Sequence, residues 1–385
     1  MKPKFRGAGA LAMALLVLAC DEHEPEAAGS PSSPELHAIM AEFTRDLRIV
    51  LPRTVDDGFA DPAQRAEIHP ALQRMARDAG VLAAHSREGV NGARYLGRSL
   101  ERDTAEILRQ FERRRYDRAS FLLRQVTENC IVCHSRLPSP GDSPLATDFV
   151  DRTALVRLRP EQRAALQIAT RRFDDSLDTL ERGFESRDWH PALMLGPLTD
   201  YLTISIRVKD DYVRPIPVLR RLAARPDLWT GLRLDIEAWI AALPELRQLT
   251  RGAPELGTAR MIIQDCEVLG SIRDPREGLV HLIAASSVLQ RYIEAKPDGD
   301  EGLAEAYYLL GLTEARIGRN YWVTEAGHFL ETAIRLDPAA PFAEDAYGRL
   351  EEEIYKSYEG VAREKIDRED AKRLSELRKL IDDGR

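Results

Sequence analysis

Residues 116–134 read YDRASFLLRQVTENCIVCH. Leu122, Val126, Cys130 and Cys133 recur at steps of four, four and three, the period of a helix that buries one face. Working outward, three earlier segments carry the same signature. The first has Leu36, Met40, Phe43, Leu47 and Val50, and the second has Leu72, Met75, Ala79 and Leu82, beginning at Pro62 or again at Pro70. A third follows Asn91-Gly92 with Leu96, Leu100, Ile107 and Phe111. Four helices with one apolar face each predict an antiparallel four-helix bundle over residues 35–138, closed near Pro138.

The quoted helix ends in Cys130-Ile131-Val132-Cys133-His134, the spacing of c-type haem attachment. Two thiols on successive turns reach two vinyl groups of one porphyrin edge, and the adjacent histidine supplies the proximal iron ligand. A zinc site would need two more soft ligands at matching spacing, and no second Cys-x-x-Cys exists in the chain. A thioredoxin-like pair would need a βαβ setting, which the helical pattern denies. The expectation is one covalent haem c on Cys130 and Cys133, with His134 as axial ligand.

Covalent attachment by this route takes place outside the cytoplasm, and the amino terminus fits export. Lys2, Lys4 and Arg6 precede an apolar run over 7–18, too short to span a bilayer with ordinary flanks. Val17-Leu18-Ala19-Cys20 resembles the lipobox of bacterial lipoproteins. That resemblance implies a signal peptide over 1–19 and a lipidated Cys20; the alternative is an ordinary cleaved signal ending near a cysteine. Asp21 and Glu22 resemble the inner-membrane retention signal of enteric lipoproteins, which favours a periplasmic protein held at the inner membrane. Residues 20–34, rich in Pro, Glu, Ala and Ser, read as a flexible tether reaching ~45 Å. Of the four cysteines, Cys266 is left over in an apolar helical pattern and reads as a buried, inert thiol.

A four-helix unit with Cys-x-x-Cys-His at the end of its last helix resembles the cytochrome c prime family and its low-spin relatives. The resemblance covers residues 35–138, and the family's basic residue after the haem histidine appears as Arg136. It implies that the sixth iron position faces the first helix. Met40 is then the candidate distal ligand, the alternative being core filling; His37, His69, Met75 and His85 are weaker candidates.

Beyond residue 157 the chain stays helical. Tyr307, Leu310, Gly311, Ala326, Leu330, Ala333 and Pro338 resemble a tetratricopeptide repeat, and Ala285, Leu289, Tyr292 and Pro297 repeat the second-helix spacing. The expected order is degenerate repeats over 157–250, built from helices at 160–186, 190–209, 213–224 and 230–249, then tetratricopeptide-like repeats over 251–350 and a charged capping helix over 351–385. The predicted fold class is therefore all-α, a bundle followed by an α-solenoid. Such arrays stack their units and present concave surfaces to protein segments.

The net charge of −8 is spread along the chain without a basic face, which argues against nucleic-acid binding. The functional expectation is a membrane-tethered monohaem cytochrome, not an enzyme, that transfers electrons and docks through its repeats to a redox partner protein or membrane complex. A five-coordinate gas-binding or sensing protein, and a repeat scaffold with a non-redox haem, are the alternatives.

Overall fold

The computed structural model describes residues 34–54, 58–85, 91–135, 159–270, 276–296, 299–318, 325–357, 366 and 368–384. Among them every regular element is helical and none is a strand. The order is α1 (Pro34–Val50), a 3₁₀ turn (Pro52–Thr54), α2 (Pro62–His85), α3 (Asn91–Glu112), α4 (Tyr116–His134), α5 (Pro160–Ala169), α6 (Phe173–Glu185) and α7 (Leu195–Thr203), which runs into a π turn (Ile204–Val208). Then come α8 (Pro215–Ala223), α9 (Thr230–Leu249), α10 (Leu256–Gly270), α11 (Leu279–Ala295), α12 (Leu303–Ile317), α13 (Glu325–Leu336), α14 (Ala343–Ser357) and α15 (Arg368–Gly384). No helix among the described residues is long and apolar enough to cross a membrane.

Each of α1 to α4 packs on the next, around Phe43, Leu47, Val50, Ile68, Leu72, Met75, Ala79, Ile107, Phe111, Ala119, Leu123 and Val126. α2 continues through Pro70, whose position faces solvent, so the lost backbone bond falls on the wet side. The bidentate pair from Arg74 to the buried Asp46 clips α2 to α1 at 2.6–3.0 Å. One end is closed by aromatic contacts, with Phe111 edge-on to Phe59 and Tyr116 and stacked beneath His69.

Two details depart from the sequence pattern. The buried stripe of α4 is Ala119, Leu123 and Val126, with Leu122 only partly buried. Cys130 does not enter this core; it packs against the second, larger cluster, built from residue 164 onward. The cause is α5, which packs along α4 and sends Leu166 into the first cluster. Among the described residues α1 has at most a marginal contact with α4. α4 is thus covered by α3 and α5.

The single helix expected over 160–186 is broken. Arg171 takes a positive φ of 62°, and the Arg172 N–H turns back to the Gln167 carbonyl at 2.7 Å, which ends α5 and starts α6 as its antiparallel neighbour. No Gly or Pro marks this turn. Gly183 lies flush against the Trp189 ring, so Trp189 and Phe184 stack at 5.4 Å.

From α10 to α15 each helix packs on the next. Tyr307, Leu310, Ala326, Leu330 and Ala333 are all buried, as are Ala285, Leu289 and Tyr292. A β-carbon at Gly311 would lie 2.8 Å from Leu330 Cγ, so α12 and α13 approach closely only because position 311 is bare. α13 ends at Leu336, two residues before Pro338. Residues 351–357 complete α14, and the terminal helix α15 starts at 368, burying Leu374, Leu377 and Ile381 against α13 and α14. Arg207, in the π turn and 3 % exposed, ties α7 to the later helices by donating to Ser286 Oγ at 2.8 Å and Glu314 Oε1 at 2.6 Å.

Candidate functional site

α4 delivers Cys130, Cys133 and His134 on its last turns. Asp117 in the first turn complements the positive end of the helix dipole, and the stripe Ala119–Leu123–Val126 fixes the rotation of the helix by burial. With that rotation Cys130 sits partly exposed at the seam between the two cores, its thiol 3.5 Å from the Val126 carbonyl one turn back. The Cys133 side chain lies outside the described residues.

His134 closes the helix. Its Nδ1 lies 2.7 Å from the backbone carbonyl of Ala169, the last residue of α5. A carbonyl can only accept, so Nδ1 carries the proton and Nε2 the lone pair. Among the described residues the ring makes no other hydrogen bond. The residue keeps some accessible surface, yet burial of the imidazole pushes its pKa down to about 4, against the opposing pull of the Ala169 carbonyl and with help from the Arg171 charge. At neutral pH the ring is an uncharged base with its Nε2 lone pair uncommitted, able to ligate a metal. Ser135, the next residue, is fully buried, and its Oγ has no hydrogen-bond partner among the described residues.

The remaining candidates fall elsewhere. Met40, expected on the buried stripe of α1, is partly exposed and belongs to none of the three buried clusters; the stripe begins at Phe43. Met75 is 1 % exposed inside the first core. His69 bonds Glu112 at 3.2 Å and stacks on Phe111. The side chains of His37, His85 and Cys266 lie outside the described residues, as do Cys20 and Arg136. Sequence reasoning missed Ala169 and Arg171, because a backbone acceptor leaves no residue signature.

Far along the chain from this site, Ile263, Leu282, Leu312, Thr313, Arg316 and Arg349 line a cavity of about 250 Å³ between α10, α11, α12 and α14. Comparison with family models, with curated proteins and with solved structures finds no match to this chain.

Proposed function

We propose that this chain is an exported, lipid-anchored monohaem c-type cytochrome, not an enzyme, that transfers electrons and docks to a redox partner protein or membrane complex through its helical repeats. The observation that carries the reading is His134. It follows Cys-x-x-Cys on α4, its Nδ1–H is held by the Ala169 carbonyl, and its neutral ring leaves Nε2 uncommitted. That is the tautomer and support an axial histidine needs. Cys130 and Cys133 would hold the porphyrin by thioethers and His134 Nε2 the iron. When bound, the haem supplies a one-electron couple. The chain's own task is to fix the ring: burial keeps it unprotonated, and the α5 carbonyl keeps its proton on the far nitrogen.

The finer fold reading belongs to the same proposal, a cytochrome c prime-like bundle over α1–α4 joined to tetratricopeptide-like repeats. The sequential packing of α1 to α4 around one core supports the first part. The bare Gly311 under Leu330 and the buried Ala326 and Ala333 support the second. The cavity rimmed by Arg316 and Arg349 gives the repeats a recess for a partner side chain.

A second reading, a five-coordinate gas-binding haem, draws support from one observation. Met40 is partly exposed on α1, which packs on α2 and scarcely on α4. Absorption spectra of the purified holoprotein, oxidised and reduced, with and without carbon monoxide, separate the readings. Electron transfer predicts a saturated iron whose reduced spectrum ignores carbon monoxide, and an oxidised spectrum altered by Met40→Leu. A carbon monoxide adduct with a Met40→Leu spectrum like the parent's establishes the second reading. A chain without covalent haem refutes both.

A further inference from the structure

α5 ends in a doubly bonded cap. The Arg172 N–H returns to the Gln167 carbonyl at 2.7 Å and the Arg171 N–H to the Ile168 carbonyl at 2.9 Å. The Leu166 carbonyl takes both the N–H and the hydroxyl of Thr170, at 3.0 and 2.8 Å. Such a pair of returning N–H groups is the Schellman arrangement, whose pivot residue lies in the left-handed region and is usually glycine. Here the pivot is Arg171, at φ 62°. With its neighbours satisfied in this way, the Ala169 carbonyl is the last-turn acceptor that remains for His134, at 2.7 Å.

An L-residue at the pivot carries steric strain that glycine would not. The strained residue is also a cation, two positions from the carbonyl that grips the imidazole.

We propose that Arg171 is a positioning residue for His134: its left-handed backbone turns the Ala169 carbonyl to Nδ1, and its guanidinium raises the reduction potential of an iron held at Nε2. A positive charge carried two residues from the carbonyl that grips the ligand disfavours the ferric state more than the ferrous one. The proposal rests on the haem reading above. It also makes the turn between α5 and α6 part of the redox site, although Arg171 lies 37 residues after His134 in the sequence.

The test uses the full-length holoprotein and the variants Arg171→Gly, Arg171→Gln and Arg171→Lys. Haem attachment is read from the mass of the purified chain, the midpoint potential by spectroelectrochemical titration, and stability by thermal melting. Arg171→Gly accepts the positive φ and removes the charge, so it keeps its haem, melts no lower than the parent and has a lower potential. Arg171→Gln also falls in potential. Arg171→Lys restores the parental potential. A purely structural pivot would leave the potential of all three unchanged, and that result overturns the proposal. A parent chain that never gains the mass of haem overturns the haem reading and this proposal with it, whereas attached haem with a potential indifferent to residue 171 overturns this proposal alone.

Discussion

Acidification of the chain without haem gives a quantitative check on the His134 environment. The imidazole binds a proton at its ordinary value of 6.5 when exposed and at about 4 when folded against Ala169. Between those limits the unfolded chain holds more protons than the folded one, so folding weakens as pH falls. Each pH unit of the gap is worth ~1.4 kcal/mol, and the loss therefore reaches about 2 kcal/mol at pH 5 and about 3 kcal/mol near pH 4. Other carboxylates titrate in the same range, which makes the informative quantity a difference between two chains. Residues 34–385 expressed in the cytosol, where covalent attachment does not occur, serve as the parent, and His134→Gln as the reference. Urea unfolding of both at pH 7, 6, 5 and 4.5 gives the two stability curves. The variant loses the Ala169 bond and is weaker at pH 7, but its deficit shrinks on acidification as the parent's buried imidazole becomes a liability. A deficit that stays constant from pH 7 to 4.5 would refute the placement of His134 in a desolvated site.

Three further outcomes follow from the packing and from the proposed lipoprotein leader. Glu314→Ala removes the carboxylate that pairs with the Arg207 guanidinium, which is 3 % exposed; the loss is about 3–5 kcal/mol, seen as a melting point lower by about 4–7 °C. Gly311→Ala gains helix propensity worth ~1 kcal/mol but drives a methyl onto Leu330, where contact would be at 2.8 Å; overpacking of ~1–3 kcal/mol leaves a net loss in urea unfolding, and a variant as stable as the parent would remove the close-approach argument. Cys20→Ala moves the protein from the membrane fraction to the soluble periplasm, and a distribution unchanged by it would end the lipoprotein reading.

Helices were the legible part, because burial on one face writes a period into the sequence and the side chains that carry it are apolar. Met75, Ala79 and Leu82 of α2, and Leu330 and Ala333 of α13, lie in the core where their spacing predicts them. Rotation about a helix axis was less legible. On α4 both Leu122 and Leu123 are apolar, and which of them is buried depends on the neighbours α4 receives. The resemblance to the cytochrome c prime bundle implied α1, whereas the chain supplies α5, and Cys130 turned with the helix toward the second core.

The proposed haem motif stands out in the sequence because thioether and imidazole chemistry demands particular residues at fixed spacing. The support of that motif does not. A hydrogen bond from His134 Nδ1 needs only a carbonyl, which all residues possess, and the one it finds belongs to Ala169, the least distinctive of side chains. The turn that presents this carbonyl is equally silent. Thr170-Arg171-Arg172 lies within an uninterrupted helical pattern, and Arg171 occupies a backbone region where sequence rules expect Gly or Asn. The nitrogen that bears the His134 proton is thus decided by a helix end 35 residues downstream. That coupling makes the turn between α5 and α6 a determinant of how His134 is held, and it places the test of that positioning at Arg171, outside the Cys-x-x-Cys-His run itself.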